Sequence, residues 1–147
     1  ICARIAQMSI ENHKYIAARA IIVDENNKVL LGRRGRGVGF NQYALIGGKP
    51  DQGETIEQSI IREVEEEVGL KFIDPILWIE TSDNKTIPEQ TWHVYFFVGG
   101  VSGEIKLKKD EVIDVVFAGE EDLDRLDIAF NHREVLAQLF RERIGKK

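Results

Sequence analysis

Residues 47–70, GGKPDQGETIEQSIIREVEEEVGL, decide the fold because they specify a helix together with both of its ends. Thr55 and Gln58 have the spacing of a capping box, in which Thr55 is the N-cap residue and Gln58 the third residue of the helix. Gly69 fits a helix C-terminal stop. The apolar residues between these signals recur at helical spacing, namely Ile56, Ile60, Ile61, Val64 and Val68. The pattern therefore predicts an amphipathic helix over 56–68.

Three glutamates share one edge of this predicted helix. At about 100° per residue, Glu63, Glu66 and Glu67 fall within an arc of about 100°, whereas Glu65 points away. Like charges one turn apart repel, and carboxylates near a helix C-terminus oppose the helix dipole. A divalent cation would reverse this cost, because hard cations prefer carboxylate oxygens. The helix alone leaves two interpretations open, a solvated acidic face and a cation site.

The sequence on either side of this helix predicts strands and one further helix. Apolar segments rich in β-branched or aromatic residues predict strands at 15–24, 28–32, 43–46, 72–80, 91–100 and 112–118. The first two strands flank the turn 25–27 and suggest a hairpin. A last helix is expected over 131–144, with its apolar side on Val135, Leu136, Leu139 and Phe140. The order predicts a mixed α/β domain with helices packed on a sheet.

Length and composition narrow the class of protein. The 147 residues, of which 43% are hydrophobic, match one ordinary domain. The net charge of -5 argues against nucleic-acid polymers and membrane surfaces as partners. No apolar run reaches the roughly 20 residues that span a bilayer. A single cysteine, Cys2, forms no internal disulfide, which favours a reducing, cytoplasmic location.

The loop RRGRGVGFNQ, residues 33–42, combines glycines with Arg33, Arg34 and Arg36. Glycines let the backbone approach a ligand closely, and guanidinium groups match phosphate oxygens. A flexible, solvated loop explains these residues equally well.

The spacing around the acidic helix extends over a longer motif. Counted from Gly48, the chain reads G-x5-E-x7-R-E-U-x-E-E-x-G-U, where U is aliphatic. The fixed positions are Gly48, Glu54, Arg62, Glu63, Val64, Glu66, Glu67, Gly69 and Leu70. This resembles the Nudix hydrolases over about residues 15–140. The resemblance implies one Nudix-type α/β/α sandwich domain over 1–147, with 1–14 as an N-terminal extension of unassigned role.

The resemblance also implies a chemistry, the cleavage of a pyrophosphate linkage in a nucleoside diphosphate derivative with Mg²⁺ or Mn²⁺. Glu63, Glu66 and Glu67 look like the metal ligands, and Glu66 and Glu67 like residues the reaction requires. Glu111, shortly before the last predicted strand, is similar to an additional acidic ligand or base. The general base stays open between Glu67 and Glu111. Supporting roles fall to Gly48, Glu54 and Arg62, since the Glu54–Arg62 pair resembles one that ties the loop to the helix.

The substrate is less well specified. The run 36–49 resembles nucleoside triphosphate pyrophosphatases, including those that remove damaged nucleotides such as 8-oxo-dGTP. The segment LDIAFNHREVL, residues 126–136, resembles hydrolases of ADP-ribose or nucleotide sugars. A nucleotide-binding module without catalysis is a third alternative. Phe40 and Asn131 are candidates for contacting the substrate, although core or turn roles are the simpler interpretation of such residues. Exposed strand edges make a homodimer conceivable.

Overall fold

A computed structural model describes residues 15–145, and the predicted extension 1–14 lies outside the described residues. A six-stranded sheet lies between two helices. The strands are β1 Tyr15–Ile21, β2 Val29–Arg34, β3 Tyr43–Gly48, β4 Lys71–Asp83, β5 Trp92–Ser102 and β6 Val112–Ala118. The helices are α1 Ile56–Val68 and α2 His132–Gly145, with a short 3-10 helix at Glu120–Asp122. Within the described part of the chain, no helix has the length and apolarity needed to cross a bilayer.

The sheet is mixed, as predicted. Its strand order is β4-β5-β1-β3-β2-β6, and β1 runs parallel to β5 but antiparallel to β3. The predicted hairpin between the first two strands is limited to its turn, where Val23 and Val29 form a single antiparallel bridge. Beyond that bridge the strands diverge and β3 pairs with both of them. A strand between two partners satisfies the hydrogen-bonding groups on both of its edges, which a two-stranded hairpin does not.

Alternate side chains of β1 point to opposite faces of the sheet, and an apolar layer lies on each face. Ile16, Ala18 and Ala20 pack with α1, whereas Ala17 and Ile21 pack with α2. From α1 the buried apolar residues are Ile56, Ile60, Val64 and Val68, and from α2 they are Val135, Leu136, Leu139 and Phe140. This confirms the α/β/α sandwich. Ile61, which the sequence assigned to the apolar stripe, is 39% exposed because it lies at the margin of that stripe.

The predicted ends of α1 are confirmed. Thr55 Oγ1 accepts the Gln58 backbone N–H at 3.0 Å, and Gln58 Oε1 accepts the Thr55 N–H at 3.0 Å. Gly69 has a left-handed φ of 77° and donates its N–H to Glu65 O at 3.0 Å. Since both ends are capped and four apolar residues are buried, the rotation of α1 on the sheet is fixed. That rotation decides which glutamates reach the site.

Candidate active site

A cavity of about 490 Å³ opens beside α1, within the size range of small-molecule sites. It is bordered by β1, the end of β3, the loop after β2, the β4–β5 region and the segment preceding α2. Its acidic lining residues are Asp51, Glu63, Glu67, Asp83 and Glu111, and its basic ones are Arg19, Arg34, Arg36 and Lys49. Charges of both signs therefore meet in one concave site.

Glu63 and Glu67 lie one helical turn apart and line this cavity together. Burial raises the pKa of Glu67, and a hydrogen bond with Glu63 adds to the effect. The Arg19 charge opposes the rise. Without a cation, these effects favour the protonated form of Glu67. Carboxylates in this condition are a suitable donor set for a hard divalent cation, whose charge would take the place of the proton.

Gly48 leaves room for one of these carboxylates. A Cβ atom at this position would lie 2.4 Å from Glu63 Oε2 and 2.7 Å from its Cδ. Any side chain would push the Glu63 carboxylate out of its position. The close approach gives the predicted role of Gly48 a physical basis.

Arg62 joins the loop before α1 to the helix. Its Nε donates to Glu54 Oε2 at 2.7 Å and its Nη2 to Glu54 Oε1 at 2.9 Å, a bidentate pair. Its Nη1 donates to Glu63 Oε1 at 2.6 Å and to Glu66 Oε2 at 2.8 Å, and its Nη2 also reaches the Lys49 carbonyl at 3.2 Å. The hydrogen bonds from Arg62 lower the pKa of Glu54, which keeps the pair ionised. One guanidinium thus positions the edge of α1 that carries the acids.

The remaining predicted ligands are engaged elsewhere. The Glu66 side chain is 48% exposed, is held by Arg62 and does not line the cavity. Glu111 lines the cavity but forms an ion pair with Arg36 and lies 3.8 Å from Lys108 Nζ. In residues 15–145 no three carboxylate or imidazole groups converge as a preformed ligand set. Arg62 bonds Glu66 through Oε2 and Arg36 bonds Glu111 through Oε1, so each carboxylate would reach a shared cation through its other oxygen or after leaving its arginine.

The three arginines of the loop separate into two groups. Arg34 and Arg36 line the cavity, whereas Arg33 donates to Asp114 Oδ2 at 2.9 Å and to Asn41 Oδ1 at 3.0 Å. Successive side chains of a strand point to opposite faces, so the neighbours Arg33 and Arg34 diverge. Phe40 is 57% exposed and does not line the cavity either. The positions of Arg33 and Phe40 therefore do not support the prediction that these residues contact the substrate.

The segment preceding α2 closes another side of the cavity. Asn131 lines it and donates from Nδ2 to Thr81 Oγ1 at 3.2 Å. Phe130 adopts a positive φ of 57°, a conformation that non-glycine residues rarely adopt outside functional sites and tight turns. Its ring centroid lies 5.2 Å from the Arg19 guanidinium carbon and 5.0 Å from that of Arg34. The aromatic ring holds two cations at the cavity wall.

The lining residues that the sequence did not predict include Arg19, Lys49 and Phe130. Arg19 had a signal, since it is a charged residue inside the otherwise apolar strand segment YIAARAIIVD. Lys49 and Phe130 lie in the two segments singled out by resemblance, 36–49 and 126–136, but neither residue is distinctive by itself, because a lysine after two glycines and a phenylalanine before an asparagine are ordinary in loops.

His132 is a buried residue that helps to hold the structure around the site. It is 1% exposed, and its Nδ1 accepts the Leu45 backbone N–H at 3.1 Å. Burial lowers the pKa of His132 well below its usual value, and the charges of Arg19 on β1 and Arg34 on β2 lower it further. The imidazole is therefore neutral and structural, because protonation at Nδ1 would remove the acceptor of that N–H.

This histidine predicts a loss of stability in acid. The unfolded chain takes up a proton at His132 below about pH 6.5, and the native state does not, so the free energy of unfolding falls as pH falls. Between pH 7 and pH 5.5 we expect His132 to contribute about 1 kcal/mol of this loss. Denaturant unfolding at both pH values, compared with His132→Asn, measures it. Asn can present Oδ1 where Nδ1 lies, so the variant should show a smaller pH dependence, and an equal dependence would contradict the assignment.

Known proteins resemble this chain over most of its length. Residues 13–139 match the NUDIX domain family. The chain is 28% identical over 125 residues to an ADP-ribose pyrophosphatase of Methanocaldococcus jannaschii, covering 84% of this chain and 72% of that protein. It is 32% identical over 110 residues to the nucleoside triphosphatase NudI of Escherichia coli O139:H28, covering 69% and 78%.

A solved structure shares the architecture as well. The crystal structure of a MutT NUDIX hydrolase from Burkholderia pseudomallei superposes with a TM-score of 0.76 at 25% identity, covering 84% of this chain and 96% of that one. The chain therefore belongs to the Nudix family of pyrophosphohydrolases, hydrolases that act on phosphoric anhydrides and generally use divalent metal ions.

Proposed function

We propose that this protein is a Mg²⁺-dependent nucleoside triphosphate pyrophosphatase that releases a nucleoside monophosphate and pyrophosphate. The observation that carries the proposal is the mixed lining of one cavity. Carboxylates from Glu63, Glu67 and Glu111 occur there together with the basic side chains of Arg19, Arg34, Arg36 and Lys49. A triphosphate is more highly charged than a diphosphate ester, so it gains more from four cationic groups in one site.

Glu63 and Glu67 are the proposed primary ligands of Mg²⁺ or Mn²⁺, with Glu66 and Glu111 as further ligands. A divalent cation at this site would neutralise phosphate charge and lower the pKa of a coordinated water. The Glu54–Arg62 pair would keep Glu63 in position during turnover, since Arg62 contacts both. Glycine at position 48 would preserve the space that the Glu63 carboxylate occupies.

Glu67 and Glu111 are both candidates for the general base. Glu111 has a route to activation in this chain, because its carboxylate is paired with Arg36. A phosphate that binds Arg36 would compete with that ion pair and release the carboxylate to accept a proton from water. Glu67, beside Glu63 and partly buried, is better placed as a ligand. Comparing Glu111→Gln with Glu67→Gln at saturating Mg²⁺ separates the two roles.

Hydrolysis of ADP-ribose or another nucleotide sugar is the second candidate. Similarity to the ADP-ribose pyrophosphatase over most of the chain favours it. Similarity to the nucleoside triphosphatase NudI favours the first candidate in the same way. Oxidised triphosphates such as 8-oxo-dGTP belong to the first candidate's substrate class.

A substrate panel tests the proposal. The protein is incubated with Mg²⁺ and, separately, with the ordinary nucleoside triphosphates, 8-oxo-dGTP and ADP-ribose, and the products are resolved by chromatography. We expect nucleoside monophosphate and pyrophosphate from one or more triphosphates. Consumption of ADP-ribose alone, giving AMP and ribose 5-phosphate, would replace the first candidate by the second. Binding without any product would favour a nucleotide-binding module.

A further inference from the structure

Arg19 is a charged residue in the middle of a central strand, β1. Only 8% of Arg19 is exposed, and it lies on the face of β1 that carries Ala17 and Ile21. Those neighbours pack against the apolar layer under α2. A buried arginine at such a position needs partners, because an unpaired charge in a protein interior is costly.

The structure supplies only part of what this guanidinium needs. Its Nη1 donates to the Leu45 carbonyl at 3.0 Å, but its Nε has no hydrogen-bond partner among residues 15–145. Burial lowers the pKa of Arg19 to about 10, so the group remains a cation at neutral pH. It forms no ion pair with a carboxylate in the described part of the chain. Contact with the Phe130 ring compensates the charge only in part.

The other arginines near the cavity show the contrast. Arg36 is paired with Glu111, and Arg62 with Glu54 and Glu63. Arg19 feels the charges of Glu63 and Glu67 without bonding to either. It lines the same cavity as they do. A buried cation without a carboxylate partner therefore borders the space in which a substrate would lie.

We propose that Arg19 is a substrate-binding residue whose guanidinium donates a hydrogen bond to a phosphoryl oxygen of the bound nucleotide. An anion matches this site better than a neutral base carbonyl, because only an anion supplies the missing counter-charge. The proposal rests on the proposed function only in taking a phosphorylated substrate. It is independent of whether that substrate is a triphosphate or ADP-ribose, and of whether it is hydrolysed.

The test is binding in a metal-free buffer with chelator, so that neither turnover nor metal-bound phosphate contributes. Dissociation constants for guanosine and GMP, and for adenosine and AMP, are measured by NMR chemical-shift titration of the native protein and of Arg19→Gln. We expect the native protein to prefer each monophosphate over its nucleoside. In Arg19→Gln this preference should fall about tenfold or more, while nucleoside binding stays within about twofold.

Arg125→Gln is the matched control, since Arg125 pairs with Asp122 outside the cavity and should leave the preference unchanged. Arg19→Lys retains the charge without the guanidinium geometry. It should lose an intermediate part of the preference, and it replaces Arg19→Gln if that variant does not fold. Equal losses for nucleoside and monophosphate, no loss for either, or a native protein without phosphate preference would each overturn the proposal. A protein that binds phosphate through Arg19 yet hydrolyses nothing in the panel would overturn only the proposed function.

Discussion

Glu67→Gln is expected to lower kcat/KM by about 10²- to 10⁴-fold while leaving the fold intact. The loss follows from removing a carboxylate that serves as a metal ligand or general base. The fold should survive because Glu67 is hydrogen-bonded to Glu63 and its raised pKa favours the protonated form, so a glutamine amide can donate to Glu63 in its place. Steady-state kinetics, Mn²⁺ titration by calorimetry and thermal unfolding measure the three effects.

Glu65→Gln is the control on the same helix. Its side chain is 61% exposed and its Oε2 lies 4.0 Å from Lys71 Nζ. The activity of the Glu65→Gln variant should stay within about twofold of the native value, because an exposed ion pair contributes little to stability. Equal activities in Glu65→Gln and Glu67→Gln would refute the division of α1 into a catalytic and a solvated edge.

Glu66→Gln examines the predicted ligand that lies outside the cavity. The family resemblance places Glu66 among the ligands, and its loss should then lower activity as well. In the structure, Glu66 is held by Arg62 at 2.8 Å. If it binds the cation only after leaving Arg62, the variant should weaken Mn²⁺ affinity less than Glu67→Gln does. Native affinity and activity in Glu66→Gln would remove this residue from the ligand set.

Gly47→Ala is expected to have the largest effect on stability. A Cβ atom at this position would lie 2.0 Å from the Ala18 carbonyl oxygen and 2.9 Å from Arg19 Cα. Both are backbone atoms of β1, to which Gly47 is directly paired. These clashes can be relieved only by separating two central strands. We therefore expect the free energy of unfolding to fall by about 4 kcal/mol or more, a large part of the stability of an ordinary domain.

Thermal unfolding followed by circular dichroism measures this loss. A change of that size should lower Tm by on the order of 10 °C in a chain of this length. Gly100→Ala is the control, since a Cβ there meets nothing within 4 Å and the residue also lies in a strand. Its Tm should change by no more than about 2 °C. Similar Tm values for the two variants would show that β1 and β3 can separate at little cost.

Much of the fold could be predicted because it depends on local patterns. The capping box, the spacing of Ile60, Val64 and Val68, and the glycine stop specify α1 within a short segment. The strands were found through their apolar and β-branched residues, and β6 at residues 112–118 was predicted to the residue. The exposed Ile61 shows the limit of such patterns, since they do not give the width of the buried stripe.

Parts of the site could not be predicted because they depend on contacts between distant segments. Arg36 and Glu111 are 75 positions apart, and only the pairing of β2 with β6 brings their loops together. The same pairing gives Arg33 a partner in Asp114, 81 positions away, and so turns it from the cavity. No local spacing encodes these neighbours.

The sequence by itself determined the acidic edge of α1, because that edge depends on residues a few positions apart. The motif at 48–70 indicated the family and, through the resemblance, the α/β/α layers. The tertiary structure alone decided which glutamates and arginines meet in the cavity, and it placed a buried cation, Arg19, beside the carboxylates of Glu63 and Glu67. The physical reason is that a helix fixes the directions of its side chains through hydrogen bonds within about one turn. In a sheet, the neighbours of a residue are fixed by pairing with strands that can lie any distance away along the chain.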